Sequence, residues 1–240
     1  MRVAVVVILV FLPGMLSAGA WPREAGHGFL SLSYEYTTWQ DSFTDERLQQ
    51  TEGEVETFAY TAFYGEYGLT NRLTFGVDLG EEDTPYTRTD VIFLRYAVGP
   101  LDWRHRFAVE MGVGRREIST FGLMRGDREQ ILRPGLAWGY GFDTPLGPGW
   151  AGLDLKAELR QTTDEDAYKA DFTIGLNPEG PWLTFLQVQT NDYPNAPVSV
   201  RLAPSVVREI TSWLALETAV LFDVHGNERM GVKAGIWVQF

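Results

Sequence analysis

Apolar residues in this chain recur with a period of two over nearly its whole length, and helical spacing is almost absent. Successive side chains of a strand point to opposite faces, so strict alternation predicts strands with one apolar and one polar face. Leu30, Leu32, Tyr34 and Tyr36 alternate with Ser31, Ser33 and Glu35, and Phe58, Tyr60, Ala62 and Tyr64 are read by the same rule as an apolar phase. The pattern recurs at Leu73–Leu79, Ile92–Val98, Phe107–Val113, Leu132–Tyr140, Leu153–Leu159 and Tyr168–Ile174. It returns at Val198–Val206, Leu214–Phe222 and Val232–Phe240. Between Trp182 and Gln189 the phase is less clean, because Leu183 and Phe185 fall on the polar side; any error in the strand count is expected there.

These segments make about twelve strands, most near ten residues, the length a tilted strand needs to cross a bilayer. A soluble sandwich also alternates, but its solvated face carries long charged side chains freely. Here Gly, Ala, Ser and Thr interleave with the charges on the polar phase, and the apolar phase is almost free of charge. Lipid offers a charge no partner, and an open sheet edge in lipid would strand backbone donors. The expectation is an all-β fold: a closed antiparallel transmembrane β-barrel of about twelve strands.

The first twenty residues read as a cleaved secretory signal. Arg2 gives a positive start, Val3 to Leu12 is unbroken apolar sequence, Pro13-Gly14 breaks it, and Ala18-Gly19-Ala20 matches a small-x-small cleavage site. The barrel domain is then 21–240. No stretch is long enough for a helical span, and the absence of cysteine excludes disulfides, thiolate metal sites and a lipid-acceptor thiol. Without Arg2, 19 of the 20 basic residues face 32 acidic ones, a net charge of −13, which argues against a nucleic-acid partner.

With both termini at one end, the connections there are short: 68–71, 99–102, 143–149, 177–180 and 209–212 carry Gly, Pro, Asn and Asp. The opposite end holds the longest, about 40–54 and 115–129. Short inner turns and long outer loops are the barrel habit. Trp103, Tyr140, Phe142, Trp150, Trp182 and Trp213 cluster beside the short turns and are expected to form an aromatic girdle.

The closing run Gly235-Ile236-Trp237-Val238-Gln239-Phe240 resembles the terminal signal of bacterial outer-membrane β-barrel proteins, which is read by the barrel-assembly machinery. The resemblance implies a Gram-negative outer membrane, with its lipid and lipopolysaccharide as surroundings. Glu66 to Val77 resembles, more weakly, a strand-turn-strand of the outer-membrane family associated with the meta-pathway of phenol degradation, whose members are thought to be channels for apolar compounds.

On the polar phase, Arg95, Arg104, Arg106, Arg133, Lys156, Arg160, Lys169, Arg201 and Lys233 face Glu35, Glu110, Asp154, Glu158, Asp171 and Glu217. A solute path would run along Arg95, Arg106, Glu110, Arg133, Lys156, Glu158, Arg160, Lys169, Asp171, Arg201, Glu217 and Lys233. The same charges, of mixed sign, also suit a wall of structural ion pairs. The loops are acidic: Asp41, Asp45, Glu46, Glu52 and Glu54; Glu81, Glu82 and Asp83; Asp164, Glu165 and Asp166. Such a rim is either solvated or bridged to lipopolysaccharide by divalent cations, and it has no calcium-loop spacing.

Three histidines, His27, His105 and His225, lack metal-site spacing. Ser199, His225 and Asp223 are conceivable partners in lipid hydrolysis, but no G-x-S-x-G motif occurs. Gly112, Gly114, Gly139 and Gly235 are read as relieving strand curvature rather than approaching a ligand. The leading expectation is a narrow channel for small or apolar molecules, with no cofactor, metal or catalytic residue. A structural barrel without throughput and a lipid-acting enzyme stand as alternatives.

Overall fold

The computed structural model describes residues 19–43, 56–83, 86–119, 127–161 and 166–240. The expected leader lies outside the described residues as far as residue 18. Twelve strands follow in order: β1 (Gly28–Trp39), β2 (Thr57–Gly68), β3 (Leu73–Asp83), β4 (Tyr86–Val98), β5 (His105–Ser119) and β6 (Asp127–Thr144). Then come β7 (Gly147–Arg160), β8 (Ala167–Leu176), β9 (Trp182–Asp192), β10 (Ser199–Glu209), β11 (Leu214–His225) and β12 (Arg229–Gln239). One short 3-10 turn, Gln40–Phe43, follows β1.

Each strand pairs antiparallel with its sequence neighbour, and β1 closes the ring on β12 through a register running from Phe29–Gln239 to Trp39–Arg229. Closure leaves no sheet edge, which hydrocarbon requires because it satisfies no backbone group. Three prolines sit within strands, Pro148 at the start of β7 and Pro134 and Pro204 in mid-strand. Pro134 has no N–H, and the β6–β7 ladder skips Arg133 and Pro134; the β10–β11 ladder likewise skips Ala203 and Pro204.

The outer surface carries the apolar phase. Leu32, Ile92, Leu94, Met111, Leu136, Val220 and Val232 all lie open on it, Leu136 at 59% exposure. In water such a continuous apolar face would be an aggregation surface, whereas in a bilayer it is the lipid contact. Charge appears on this face only near the strand ends. Toward the loop end, Arg88 contacts Asp90 at 3.0 Å, Arg115 reaches Asp90 at 2.8 Å, and Arg128 reaches Glu117 at 2.9 Å. At the opposite end Trp103, Trp182 and Trp213 are exposed beside the short turns, and Arg208 stacks on Trp182 at 5.2 Å. These two belts bracket the lipid-facing zone.

Three expectations are corrected here. The segment 115–129 is mostly strand: β5 continues to Ser119 and β6 begins at Asp127, so these two strands, of 15 and 18 residues, rise beyond the apolar band. In β2 the phase is reversed. Phe58, Tyr60, Ala62 and Tyr64 pair with the inward residues Thr37, Glu35, Ser33 and Ser31 of β1, so they face the lumen. Ala59, Thr61, Phe63, Gly65 and Tyr67 take the outside. A one-residue slip turns every side chain over, and β2 has aromatic residues on both phases, so apolarity alone does not orient it. Trp150, finally, leaves the girdle: it opposes Gly141 and Gly175 on the inward phase, and its ring covers Gly175.

Turn chemistry follows the backbone. The connection between β6 and β7 has two residues and needs Gly147 at φ +130. An L side chain there would be strained, and a Cβ would also stand 2.4 Å from the Asn177 carbonyl oxygen.

Candidate functional site

The barrel interior is the candidate site. At one side of it Arg95 sits between two carboxylates. Its Nη1 donates to Glu66 and its Nη2 donates to Glu110 Oε2 at 2.6 Å. The Tyr64 hydroxyl donates to Glu66, and Arg23 Nε donates to the second Glu66 oxygen at 2.7 Å. Arg133 continues the chain, 2.7 Å from Asp78 and 3.7 Å from Glu110. These groups come from β2, β3, β4, β5 and β6, with Arg23 preceding β1.

Further groups pair across the lumen and toward the loop end. Arg116 and Lys169 flank Glu158 at 3.3 and 3.2 Å, and Arg160 lies 3.6 Å from Glu129. Arg201 joins Asp223 at 2.6 Å and Glu35 at 3.1 Å; Arg229 meets Glu82 at 2.6 Å. Lys233 Nζ and Trp237 Nε1 both donate to Glu217, at 2.9 and 3.0 Å. Charges held this way are costly to expose singly, because removing one partner strands the other in a low-dielectric interior.

The lumen also has an apolar wall. Phe29, Leu183, Val207, Ala215 and Trp237 form a buried cluster, joined by Tyr64, Trp150 and Phe185. Phe29 meets Trp237 edge-on at 5.6 Å, and Phe185 stacks on Trp237 at 6.2 Å. Between this wall and the charged side lies a cavity of about 300 Å³, reached by Asp78, Asp154, Lys156, Asp171, Gln187 and Lys233. Leu183 and Phe185 thus sit on the inward phase, as their spacing in β9 requires, and β9 is a regular strand.

The segment before β1 enters the barrel from the short-turn end. Gly26 N–H donates to the Gly68 carbonyl at 2.9 Å, and Ala25 N–H donates to Asn71 Oδ1 at 3.0 Å. Arg23 then stacks over Phe29 at 4.7 Å while holding Glu66. The Trp21 ring lies on a floor of two glycines: a Cβ on Gly139 would stand 2.2 Å from it, and one on Gly152 would stand 3.9 Å away. Ala20 is buried against Ala108 and Ala137, and Gly19 abuts the Asp154 carboxylate. Gly139 is therefore approached closely by another part of the chain, contrary to its reading as a curvature glycine.

Of the twelve expected lumen residues, Arg95, Glu110, Arg133, Glu158, Arg160, Lys169, Arg201, Glu217 and Lys233 take part in ion pairs. Lys156 and Asp171 line the cavity, and among the described residues neither has an ion pair. Arg106 lies toward the short-turn end with one guanidinium nitrogen buried and without a hydrogen-bond partner. Arg104 belongs to the exposed rim, where it meets Asp143 at 3.0 Å. As lumen residues, sequence reasoning missed Glu66 and Asp78, put Glu82 in the acidic rim and Asp223 beside His225, and missed the whole apolar wall. Parity carried a signal for Glu66: it shares the phase of Phe58 to Tyr64, which a lipid-facing reading would not tolerate.

The acidic rim is partly engaged. Glu81 lies 3.5 Å from Arg88, Glu82 is held by Arg229, and the Ala59 N–H donates to Asp83 at 2.9 Å. Asp45, Glu46, Glu52, Glu54, Asp164 and Glu165 lie outside the described residues. His105 faces outward, 4.7 Å from the Tyr140 ring, and accepts a hydrogen bond from Trp138 Nε1 at 3.2 Å. The Asp223 carboxylate, needed to orient His225 in any hydrolytic arrangement, is buried and committed to Arg201. Among the described residues no group of three or more His, Asp or Glu side chains is gathered as a metal site, and no helix is long and apolar enough to cross a membrane.

No family model matches the chain, and no curated protein matches it in sequence. Solved structures do match in shape. An outer-membrane channel from Pseudomonas putida F1 superposes with a TM-score of 0.56 at 11% identity, covering 93% of this chain and 99% of that one. The β domain of the Bordetella autotransporter BrkA gives 0.51 at 12% identity over 90% and 100% of the two chains. Outer membrane phospholipase A from Escherichia coli gives 0.50 at 12% identity over 87% and 89%. A channel, an autotransporter domain and a phospholipase share this architecture, so the likeness carries the fold and not the activity. The chain has the closed antiparallel barrel fold of bacterial outer-membrane proteins.

Proposed function

We propose that the protein is a narrow outer-membrane channel for small molecules with an apolar part. The observation that supports this is the cavity of about 300 Å³ left between the aromatic wall of Phe29, Trp150, Phe185 and Trp237 and the charged wall of Lys156, Asp154 and Asp171. A barrel serving only as a scaffold gains by filling its interior, whereas this one keeps space where an apolar surface faces a polar one. The pocket is small, and mouths built this way bind through a few polar groups and a larger apolar area. The inserted segment at Trp21 and the ion pairs above it narrow the path, so throughput is slow and limited by size.

The outward arginines near the loop end, Arg88, Arg115 and Arg128, stand where phosphate groups of lipopolysaccharide lie, directly above the apolar band. Their carboxylate partners make this contact one of orientation more than of affinity. The Asp223 carboxylate is taken by Arg201, which argues against a hydrolytic site at His225.

Liposome swelling with solutes of graded size tests the reading. Permeation of small amphipathic solutes and exclusion of disaccharides is the expected result. Large, stable conductance steps in planar bilayers would overturn the narrow lumen, and the absence of any permeation would favour the structural barrel.

A further inference from the structure

The charges around the cavity do not balance locally. Glu217 is taken by Lys233, Asp78 by Arg133, and Arg95 and Arg23 by Glu66 and Glu110. This leaves Asp154 and Asp171, directly opposite each other on β7 and β8, with Lys156 as the remaining cation of the lining. Among the described residues neither aspartate has an ion pair. Like charges directly opposite in a sheet repel, and inside a barrel wall the cost of an uncompensated carboxylate rises. The lining itself holds four cations and four carboxylates, and with the partners Arg133, Glu66 and Glu110 included, five cations meet six carboxylates, one positive charge short.

A segment of the chain is already seated at that place. Gly19 packs so closely on Asp154 that a Cβ would stand 2.5 Å from Oδ2. Ala20 beside it is 1% exposed, and Trp21 rests on the Gly139 and Gly152 floor. Residues 18–20, Ala-Gly-Ala, carry the small-x-small pattern of a leader cleavage site. We propose that the chain is cut between Ala20 and Trp21, and that the α-ammonium so created is bound inside the lumen by Asp154 with Asp171 beside it. A leader endopeptidase adds water across the Ala20–Trp21 amide: the leader leaves with the new carboxylate, and Trp21 keeps the nitrogen and takes a proton.

Chain geometry places the Trp21 nitrogen within about 6 Å of the Gly19 Cα, and once Gly19 and Ala20 leave with the leader it swings into the space they vacate beside Asp154. An α-amine is mostly protonated at neutral pH, and it supplies the missing charge. The mature amino terminus is then held at three points: its ammonium on the aspartates, the Trp21 ring on the glycine floor, and Arg23 on Glu66. It acts as the occupant of its own site. This inference does not rest on any throughput of the channel.

The test uses the full-length protein expressed with its leader and purified folded from membranes. N-terminal sequencing is expected to read Trp-Pro-Arg. An amine-reactive N-hydroxysuccinimide ester near neutral pH, read by mass spectrometry of the N-terminal peptide, is expected to label the folded α-amine at least about tenfold more slowly than the urea-unfolded chain, as a buried group is protected. Asp154→Asn is expected to bring labelling within about threefold of the unfolded rate, with heat-modifiable migration in gels confirming the folded barrel. Asp171→Asn, which leaves Asp154 in place, should fall between. A mature terminus other than Trp21, labelling of the folded wild type at the unfolded rate, or protection unchanged in both variants would each overturn the proposal.

Discussion

Replacing Arg95 by Met removes the guanidinium that lies between Glu66 and Glu110 while keeping an unbranched apolar stem. The side chains of Glu66, Glu110 and Arg95 are 0%, 4% and 3% exposed, so water does not take over the lost contacts. Breaking a buried pair by deleting one partner costs about 3–5 kcal/mol. The structure argues for the lower end. Glu66 keeps Arg23 at 2.7 Å and Glu110 keeps Arg133 at 3.7 Å, so neither carboxylate is left alone. About 3 kcal/mol is therefore expected, which moves a urea midpoint by about 1–3 M if the slope is in the usual range of about 1–3 kcal/mol/M. The assay is equilibrium unfolding in lipid vesicles, with the folded fraction read from heat-modifiable gel migration. A second variant removes a matched pair: Arg95→Met with Glu110→Gln should recover most of the loss, since Glu66 keeps Arg23 and Arg133 keeps Asp78, so no buried ion is left uncompensated. A midpoint for the single variant within about 0.3 M of wild type would refute the claim that this cluster is energetically coupled.

Leu136→Arg places a charge on the most exposed part of the apolar face and should cost about 2–4 kcal/mol in bilayers; stability equal to that of Leu136→Met would show that this face is not in hydrocarbon. Gly139→Val drives a side chain into the Trp21 ring, and overpacking of this kind costs about 1–3 kcal/mol. Added protease should then remove the N-terminal residues faster in the variant, and an unchanged rate would mean that Trp21 does not rest there. Trp237→Ala deletes the centre of the aromatic wall and the donor to Glu217, a loss of about 3–5 kcal/mol. Its liposome-swelling cut-off should shift to larger solutes, and an unmoved cut-off would place the cavity off the permeation path.

Ten of the twelve strands show their inward and outward phases in the alternation itself, because a charge or a run of small residues marks one side, and β9 shows them only weakly. β2 does not, since Phe58, Tyr60 and Tyr64 on one phase meet Phe63 and Tyr67 on the other. Only its pairing with β1, Glu35 opposite Tyr60, shows which set is inside. Trp150 was misplaced for a related reason: an aromatic residue at a strand end suits both a lipid interface and an internal wall. Apolar residues on an inward phase, such as Leu183 and Phe185, look like irregularity until the lumen is seen to have an apolar side.

The amino-acid order by itself determined the closed barrel, its number of strands and the uncharged outer face. These follow from local geometry, a side-chain period of two, combined with a solvent that accepts no charge and no open edge. What only the tertiary structure decided is which lumen charges meet. Arg201 and Glu35 are 166 positions apart and join because the barrel closes through β12 onto β1, bringing β10 within reach of β1. The same holds for Trp21 on Gly139. Contacts across a ring depend on its circumference and register, and a period of two carries information about neither.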